Sequence, residues 1–287
     1  MFLKGLKLSS LVMVTLFSVA SYGSINLQGK LEQGALVRGT VPAGSAVKLN
    51  GEVVKVTPKG QFAIGFEREA KTEQLLEVTY PDGLTQLKPL TIASREYKID
   101  RLTGISKKIM QPDPVAQARA AKDSKQTRAA RNVFSEQDAF MQAFIWPVTG
   151  RISGVYGSQR VYNGKPGNPH YGVDVARPTG TVVVSPADGV ITLSVPDMFY
   201  SGGTLIIDHG YGINSTFLHL SKLYAKEGDV VTQGQPLAEI GATGRVTGPH
   251  LDWRLNWFQK RLDPVSIVPS MESVLAAENK AKTAEKQ

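Results

Sequence analysis

His170-Tyr-Gly-Val-Asp174, Phe217-Leu-His219-Leu220 and Gly248-Pro-His250-Leu-Asp252 are three short pieces of a 287-residue chain, and they hold three of its four histidines. All three read as β-like sequence. Val173, Val175 and the run Thr181-Val-Val-Val184 are β-branched, and Gly172 argues against a helix. Side chains alternate faces along a strand. His170 and Asp174, four apart, therefore share a face, and so do His250 and Asp252, two apart. Imidazoles and carboxylates gathered on pleated surfaces are the material of a metal site with catalytic histidines beside it. His209, in Asp208-His-Gly210, falls outside these pieces.

Outward from these pieces the chain stays β-like from Ile145-Trp-Pro-Val148 to about Pro269, with turns such as Asp188-Gly189 and Ser201-Gly-Gly203 between short apolar runs. We read residues 144–270 as one all-β unit. The run from Gly228 to Gly241 has the turn pattern of biotinyl- or lipoyl-type folds, but it lacks the lysine setting that a carrier needs. Residues 24–103 read as a small β-sandwich. Turn residues recur at short intervals, and Asn50-Gly51 between two alternating runs predicts a hairpin. That unit has no histidine and no catalytic cluster, so it is either a binding module or a stabilising one.

Between the two units, residues 104–143 change character, with many Ala, Gln, Lys and Arg. Asp113 and Pro114 predict a helix start. Lys107, Lys108, Arg119, Lys122, Lys125, Arg128 and Arg131 make the stretch basic, which suits either a solvated helical linker or an arm for anionic polymer. Val133, Phe134, Phe140 and Phe144 would tie its end to the next unit. The tail, residues 271–287, is charged and alanine-rich, and reads as a frayed helix or disorder.

Residues 1–23 read as a secretory signal peptide: Lys4 and Lys7, an apolar run from Leu8 to Ala20, then small residues. The run is shorter than the ~20 residues of a spanning helix. The expected mature protein is exported and needs no membrane, with the periplasm as its place and the outer wall as the alternative. The absence of cysteine excludes disulfides, thiolate zinc sites and a lipidated N-terminal cysteine. A net charge of +8 suits an anionic partner, and no nucleic-acid motif accompanies it.

The order of pieces resembles the lysostaphin/LytM-type zinc peptidases, which cut the peptide part of peptidoglycan. The resemblance runs from about Trp146 to Pro264. It includes Gly150-Arg-Ile-Ser-Gly-Val-Tyr-Gly157, Pro186-Ala-Asp-Gly189 and Thr243-Gly-Arg-Val-Thr-Gly-Pro-His250. It implies that His170 and Asp174 bind Zn2+ and that His219 and His250 are the catalytic pair. It also implies an all-β peptidase fold for the second unit, giving a mainly β protein. Residues Leu27 to Arg95 are similar to an N-terminal β domain of exported members.

The departure is at the third ligand, where the family has histidine and this chain has Asp252. Its carboxylate oxygen reaches as far as the ring nitrogen that it replaces, and Asp is an accepted zinc ligand. Two carboxylates would cancel the charge of the ion. The expected result is a less Lewis-acidic site that tolerates other divalent metals. Arg245 and Arg254 are candidate binders of substrate carboxylates, with a solvated or packing role equally open, and Tyr156, Tyr162 and Tyr171 are candidate groove residues. The expected function is a zinc endopeptidase of peptidoglycan that uses metal-activated water. The alternatives are a non-catalytic activator of another wall hydrolase, which Asp252 keeps open, and a wall-binding protein working through its N-terminal unit.

Overall fold

The computed structural model of the chain describes residues 23–104 and 114–284. The segment read as a signal peptide lies outside the described residues up to residue 22, as do Lys107, Lys108 and the expected helix cap Asp113. Among the described residues no helix is long and apolar enough to cross a membrane.

The chain opens with eight strands: β1 Asn26–Gln28, β2 Leu36–Thr40, β3 Ala46–Leu49, β4 Glu52–Val54, β5 Gln61–Gly65, β6 Glu73–Thr79, β7 Thr85–Thr91 and β8 Ile99–Leu102. Sheet β1-β2-β5 and sheet β4-β3-β6-β7 form the small sandwich. Its inner face is made by alternation: along β6 only Gln74, Leu76 and Val78 are buried. Asn50 and Gly51 both have positive φ, 52° and 83°, as a two-residue hairpin between Leu49 and Glu52 requires. β8 does not stay with the sandwich. It pairs in parallel with β10, Gln159–Tyr162, which also pairs β11, Lys165–Pro166.

Helix α1, Pro114–Arg131, starts on a proline and has no regular apolar stripe; its buried residues are Ala116, Ala130 and Arg131. It is followed by Phe140 and Phe144, both buried, whereas Val133 and Phe134 stay about 40% exposed.

The second unit adds β9 Arg151–Gly154, β12 Val173–Ala176, β13 Val182–Val184, β14 Gly189–Met198, β15 Gly202–Asp208, β16 Ile213–Leu223, β17 Val230–Val231, β18 Pro236–Ile240, β19 His250–Trp257 and β20 Lys260–Leu262. The order β17-β14-β15-β16-β19-β12-β9 runs across one large sheet, with β18 joining β13 to β16 and β20 on β19. Helix α2, Met271–Ala284, ends the described chain and buries Met271.

β15 is buried along its whole length because both faces are covered. On one face lies the main core, where the Trp146 and Trp253 rings meet edge to face at 5.7 Å. On the other, Ala130 of α1 packs on Leu193, Met198 and Ile206. The helix is held along its length. Arg119 donates to Asp197 at 2.6 Å, Asp123 accepts from the Phe199 amide at 2.7 Å, and Gln259 donates to the Arg128 carbonyl at 3.0 Å. The sandwich is tied to the second unit by the Arg95–Asp263 ion pair at 2.9 Å and by Arg68 donating to the Gly157 carbonyl. Leu262 packs over Gly65 in the same core.

His209 is fully buried. Its Nδ1 faces the Asp188 carbonyl at 2.7 Å and its Nε2 faces Ser215 Oγ at 2.9 Å, with Phe144 against the ring edge. Burial pushes it down to about 4, below its ordinary value near 6.5. The folded ring therefore stays neutral between pH 6.5 and 4, where the unfolded chain takes up a proton. Stability falls as pH drops through that window, by on the order of 3 kcal/mol for this group. Urea unfolding at pH 7.5 and at pH 5, which is still above the folded value, should show about 2 kcal/mol of that loss in the wild type and a flatter dependence in His209→Gln.

Candidate metal centre

Strands β12 and β19 run antiparallel with Asp174 directly opposite Asp252, so the two carboxylates leave the sheet on the same face, side by side. Room for them comes from glycine. A Cβ on Gly154, opposite Asp174, would strike that carboxylate, and one on Gly172 would strike Asp252. His170 precedes β12 and is fixed by its amide, which donates to the Ser158 carbonyl at 2.8 Å. Its Nδ1 faces the Val155 carbonyl at 3.3 Å, which leaves Nε2 turned to the carboxylates. Nε2 lies 3.0 Å from Asp174 Oδ1 and 3.5 Å from Asp252 Oδ2. One ligand atom from each of the three residues lies within 4.8 Å of the other two.

These atoms fit a metal better than they fit one another. His170 Nε2 and Asp174 Oδ1 are both buried, and although close, they do not meet at hydrogen-bonding angles. Two like charges opposite each other on neighbouring strands are unfavourable unless a cation lies between them. One nitrogen and two carboxylate oxygens are a hard-to-borderline donor set suited to zinc. Without a metal the proton is the substitute. Burial would lower the His170 imidazole, but the Asp174 and Asp252 carboxylates outweigh it and hold it up at about 10.

His219 and His250 stand beside this cluster, with ring centroids 4.9 Å apart. His250 Nε2 is 3.8 Å from Asp174 Oδ1. His219 has a left-handed φ of 66°, a strained conformation outside glycine, in a buried position on β16. The Nδ1 of His219 faces the Thr243 carbonyl and that of His250 faces the Gly248 carbonyl, each at 2.9 Å. A carbonyl only accepts, so Nδ1 carries the proton in both rings and Nε2 is the free atom. Burial lowers the His219 ring below its ordinary value and keeps it neutral. A neutral imidazole with a fixed tautomer accepts a proton at Nε2.

Asp252 does not stand alone. Arg254, two residues on and so on the same face, donates from Nη2 to Oδ2 at 2.6 Å and from Nε to Oδ1 at 3.0 Å. Burial alone would raise the Asp252 carboxyl, but Arg254 and His170 outweigh it and hold it well below the carboxylate range. The sequence-based expectation of a charge-cancelled site left Arg254 out. Its guanidinium returns the charge that the second carboxylate removes, so that Asp252 with Arg254 equals a neutral ligand in formal charge.

The other residues singled out from the sequence are divided. Arg245 lies over the Tyr200 ring at 5.1 Å and does not join the cluster. Tyr156 is buried, with its hydroxyl donating to the Arg261 carbonyl at 2.8 Å, so it braces β20. Tyr171 lies 5.8 Å from the Arg261 guanidinium and lines a cavity of about 570 Å³ between the sandwich and the second unit. Tyr162 lies on β10, paired across from Lys165.

Residues 168–264 match the sequence profile of Peptidase family M23. Over 146 residues the chain is 36% identical to the peptidoglycan DD-endopeptidase ShyA of Vibrio cholerae, covering 47% of this chain and 34% of that one. Over 118 residues it is 36% identical to the DD-carboxypeptidase/endopeptidase Mpg of Neisseria meningitidis, covering 41% and 27%. The chain thus spans about a third or less of the length of these curated relatives. A crystal structure from Pseudomonas aeruginosa described as a peptidase M23 superposes with a TM-score of 0.64 at 28% identity, covering 83% of this chain and 95% of that one.

The Asp252–Arg254 pair generates a test that needs no activity. In metal-free protein Arg254→Met should cost on the order of 3 kcal/mol, the low end for breaking a buried pair, because Arg254 keeps some solvent contact. Combined with Asp252→Asn, the loss in urea unfolding should be smaller than the two single losses together. From this site geometry and the matched residues, the chain carries a domain of peptidase family M23.

Proposed function

We propose that this chain is an exported zinc endopeptidase that hydrolyses amide bonds in the peptide part of peptidoglycan. The single observation that carries the proposal is the convergence of His170 Nε2, Asp174 Oδ1 and Asp252 Oδ2, with two orphaned buried atoms among them, beside a histidine pair of fixed tautomer. The peptidoglycan substrate is proposed from the names of the V. cholerae and N. meningitidis relatives.

His170, Asp174 and Asp252 would hold the metal. When bound, zinc acidifies a water and polarises the scissile carbonyl. The remaining work falls to the chain's own residues. His219, neutral and buried, takes a proton at Nε2 and later returns it to the leaving amine. His250 Nε2 donates towards the oxygen of the carbonyl under attack. The Thr243 and Gly248 carbonyls stop either ring from flipping. Arg254 keeps Asp252 ionised and aimed.

A second reading has its own support. Arg254 and a protonated His170 already neutralise the two carboxylates without any metal, which is what a non-catalytic activator of another wall hydrolase would need. Purified murein incubated with the zinc-loaded protein separates the two readings. New muropeptides, read by mass and absent with His170→Ala, are expected. No release over several metals and pH values, together with little metal after purification, would favour the activator.

Metal loading should also release a proton. With its pKa near 10, His170 carries one at pH 7.5 in metal-free protein and must lose it to bind. Calorimetry in buffers of different ionisation enthalpy should give about one proton released per zinc, and none in His170→Ala.

A further inference from the structure

Arg131, the last residue of α1, is only 6% exposed, and its Nε has no hydrogen-bond partner. Among the described residues no carboxylate lies within ion-pair distance of it. An unpaired buried guanidinium is costly, and proteins pair such charges or bind a counter-ion. The charges whose fields reach Arg131 are those of Arg261 and Arg254, which repel it, and of Asp252, whose two oxygens are already held by Arg254.

The sheet register explains how they meet. Ile206 on β15 is opposite Thr216 on β16, and Thr216 is opposite Arg254 on β19, so these three form one row on the face that carries Asp174 and Asp252. One pair further along β19, Asn256 is opposite Arg261 of β20 and accepts from its Nη1 at 3.2 Å. The end of α1 lies over this row because Ala130 packs on Ile206. Thr216 is fully buried on it, and its Oγ1 also lacks a partner. The guanidinium groups of Arg254 and Arg261 and the unpaired Thr216 hydroxyl thus share the sheet face that carries the committed Asp252 carboxylate, with the end of α1 and Arg131 over it.

We propose that Arg131, Arg254, Arg261 and Thr216 form an anion subsite that binds a free carboxylate of the peptide substrate next to the scissile amide. Guanidinium forks and a hydroxyl donor match a carboxylate in shape and charge. α1 lies outside the residues matched to family M23. The adjacency to the scissile bond rests on the peptidase reading; the subsite itself does not.

The test uses the full chain after chelation, so that no carboxylate is captured by a metal. Titration calorimetry would compare N-acetyl-D-Ala-D-Ala with its C-terminal amide. The acid is expected to bind at least about tenfold more tightly than the amide. Arg131→Gln should abolish the difference, and Arg131→Lys, which keeps the charge without the fork, should weaken the acid by about tenfold. Lys125→Gln, an exposed change on the same helix, should leave the difference intact. Equal binding of acid and amide to the wild type would overturn the subsite. So would a preference that survives Arg131→Gln, or one that appears only after zinc is restored. If Arg131→Gln does not fold, the lysine variant and the acid–amide pair carry the test. Acid binding without any cleavage of murein would defeat the peptidase reading and leave the subsite standing.

Discussion

Asp174 and Asp252 stand directly opposite each other on neighbouring antiparallel strands, and the site is built around that conflict. Two carboxylates so placed repel, and Asp252 is almost fully buried. Three local features answer the conflict. Gly154 and Gly172 leave the space. Arg254 grips both oxygens of Asp252. His170 brings a nitrogen between the two acids. Remove the compensation and the register of β12 on β19 becomes a source of strain. With a divalent cation between them, the same register would serve as a ligand set.

The remainder of the fold holds that register. Trp253 points from β19 into the core against Trp146, on the face opposite Asp252 and Arg254, so packing fixes which residues of the strand reach the site. The sandwich braces the far end. Arg95 pairs with Asp263 just beyond β20, and the Tyr156 hydroxyl donates to the Arg261 carbonyl. β8, at the end of the first unit, completes a sheet with β10, immediately before the His170 loop. The N-terminal unit is thus mechanically part of the floor on which the site rests.

Much of this was legible in the sequence, for physical reasons. Alternation along β19 put His250 with Asp252, because the period of side-chain direction is two wherever the backbone is extended. His170 precedes β12, and its approach to Asp174 comes from the loop that its amide pins to the Ser158 carbonyl, which alternation does not foretell. Asn50-Gly51 announced its hairpin because both residues tolerate positive φ. What stayed hidden depends on backbone carbonyls and on long-range contact. No pattern marks Thr243 and Gly248 as the groups that fix two imidazole tautomers, since every residue has a carbonyl. Arg254 carried a signal that was available: an arginine two residues from a buried acid shares its face. The sequence leaves Arg254 open between binding a substrate carboxylate and packing; in the structure two of its nitrogens hold Asp252.

The linker is where composition says least about contacts. A stretch rich in Ala, Lys and Arg without an apolar stripe reads as solvated helix, and most of α1 is exposed as that reading requires. Its last turn departs from the pattern. Ala130 finds an apolar patch of three residues, and the guanidinium of the next residue, Arg131, is buried as well. A linker selected only for solubility gains nothing from burying a charge beside two others of the same sign. Among the described residues no carboxylate pairs with Arg131, and Asp252 is already committed to Arg254. The buried charges on the site-bearing face of the sheet therefore include one from the helix, outside the residues matched to family M23.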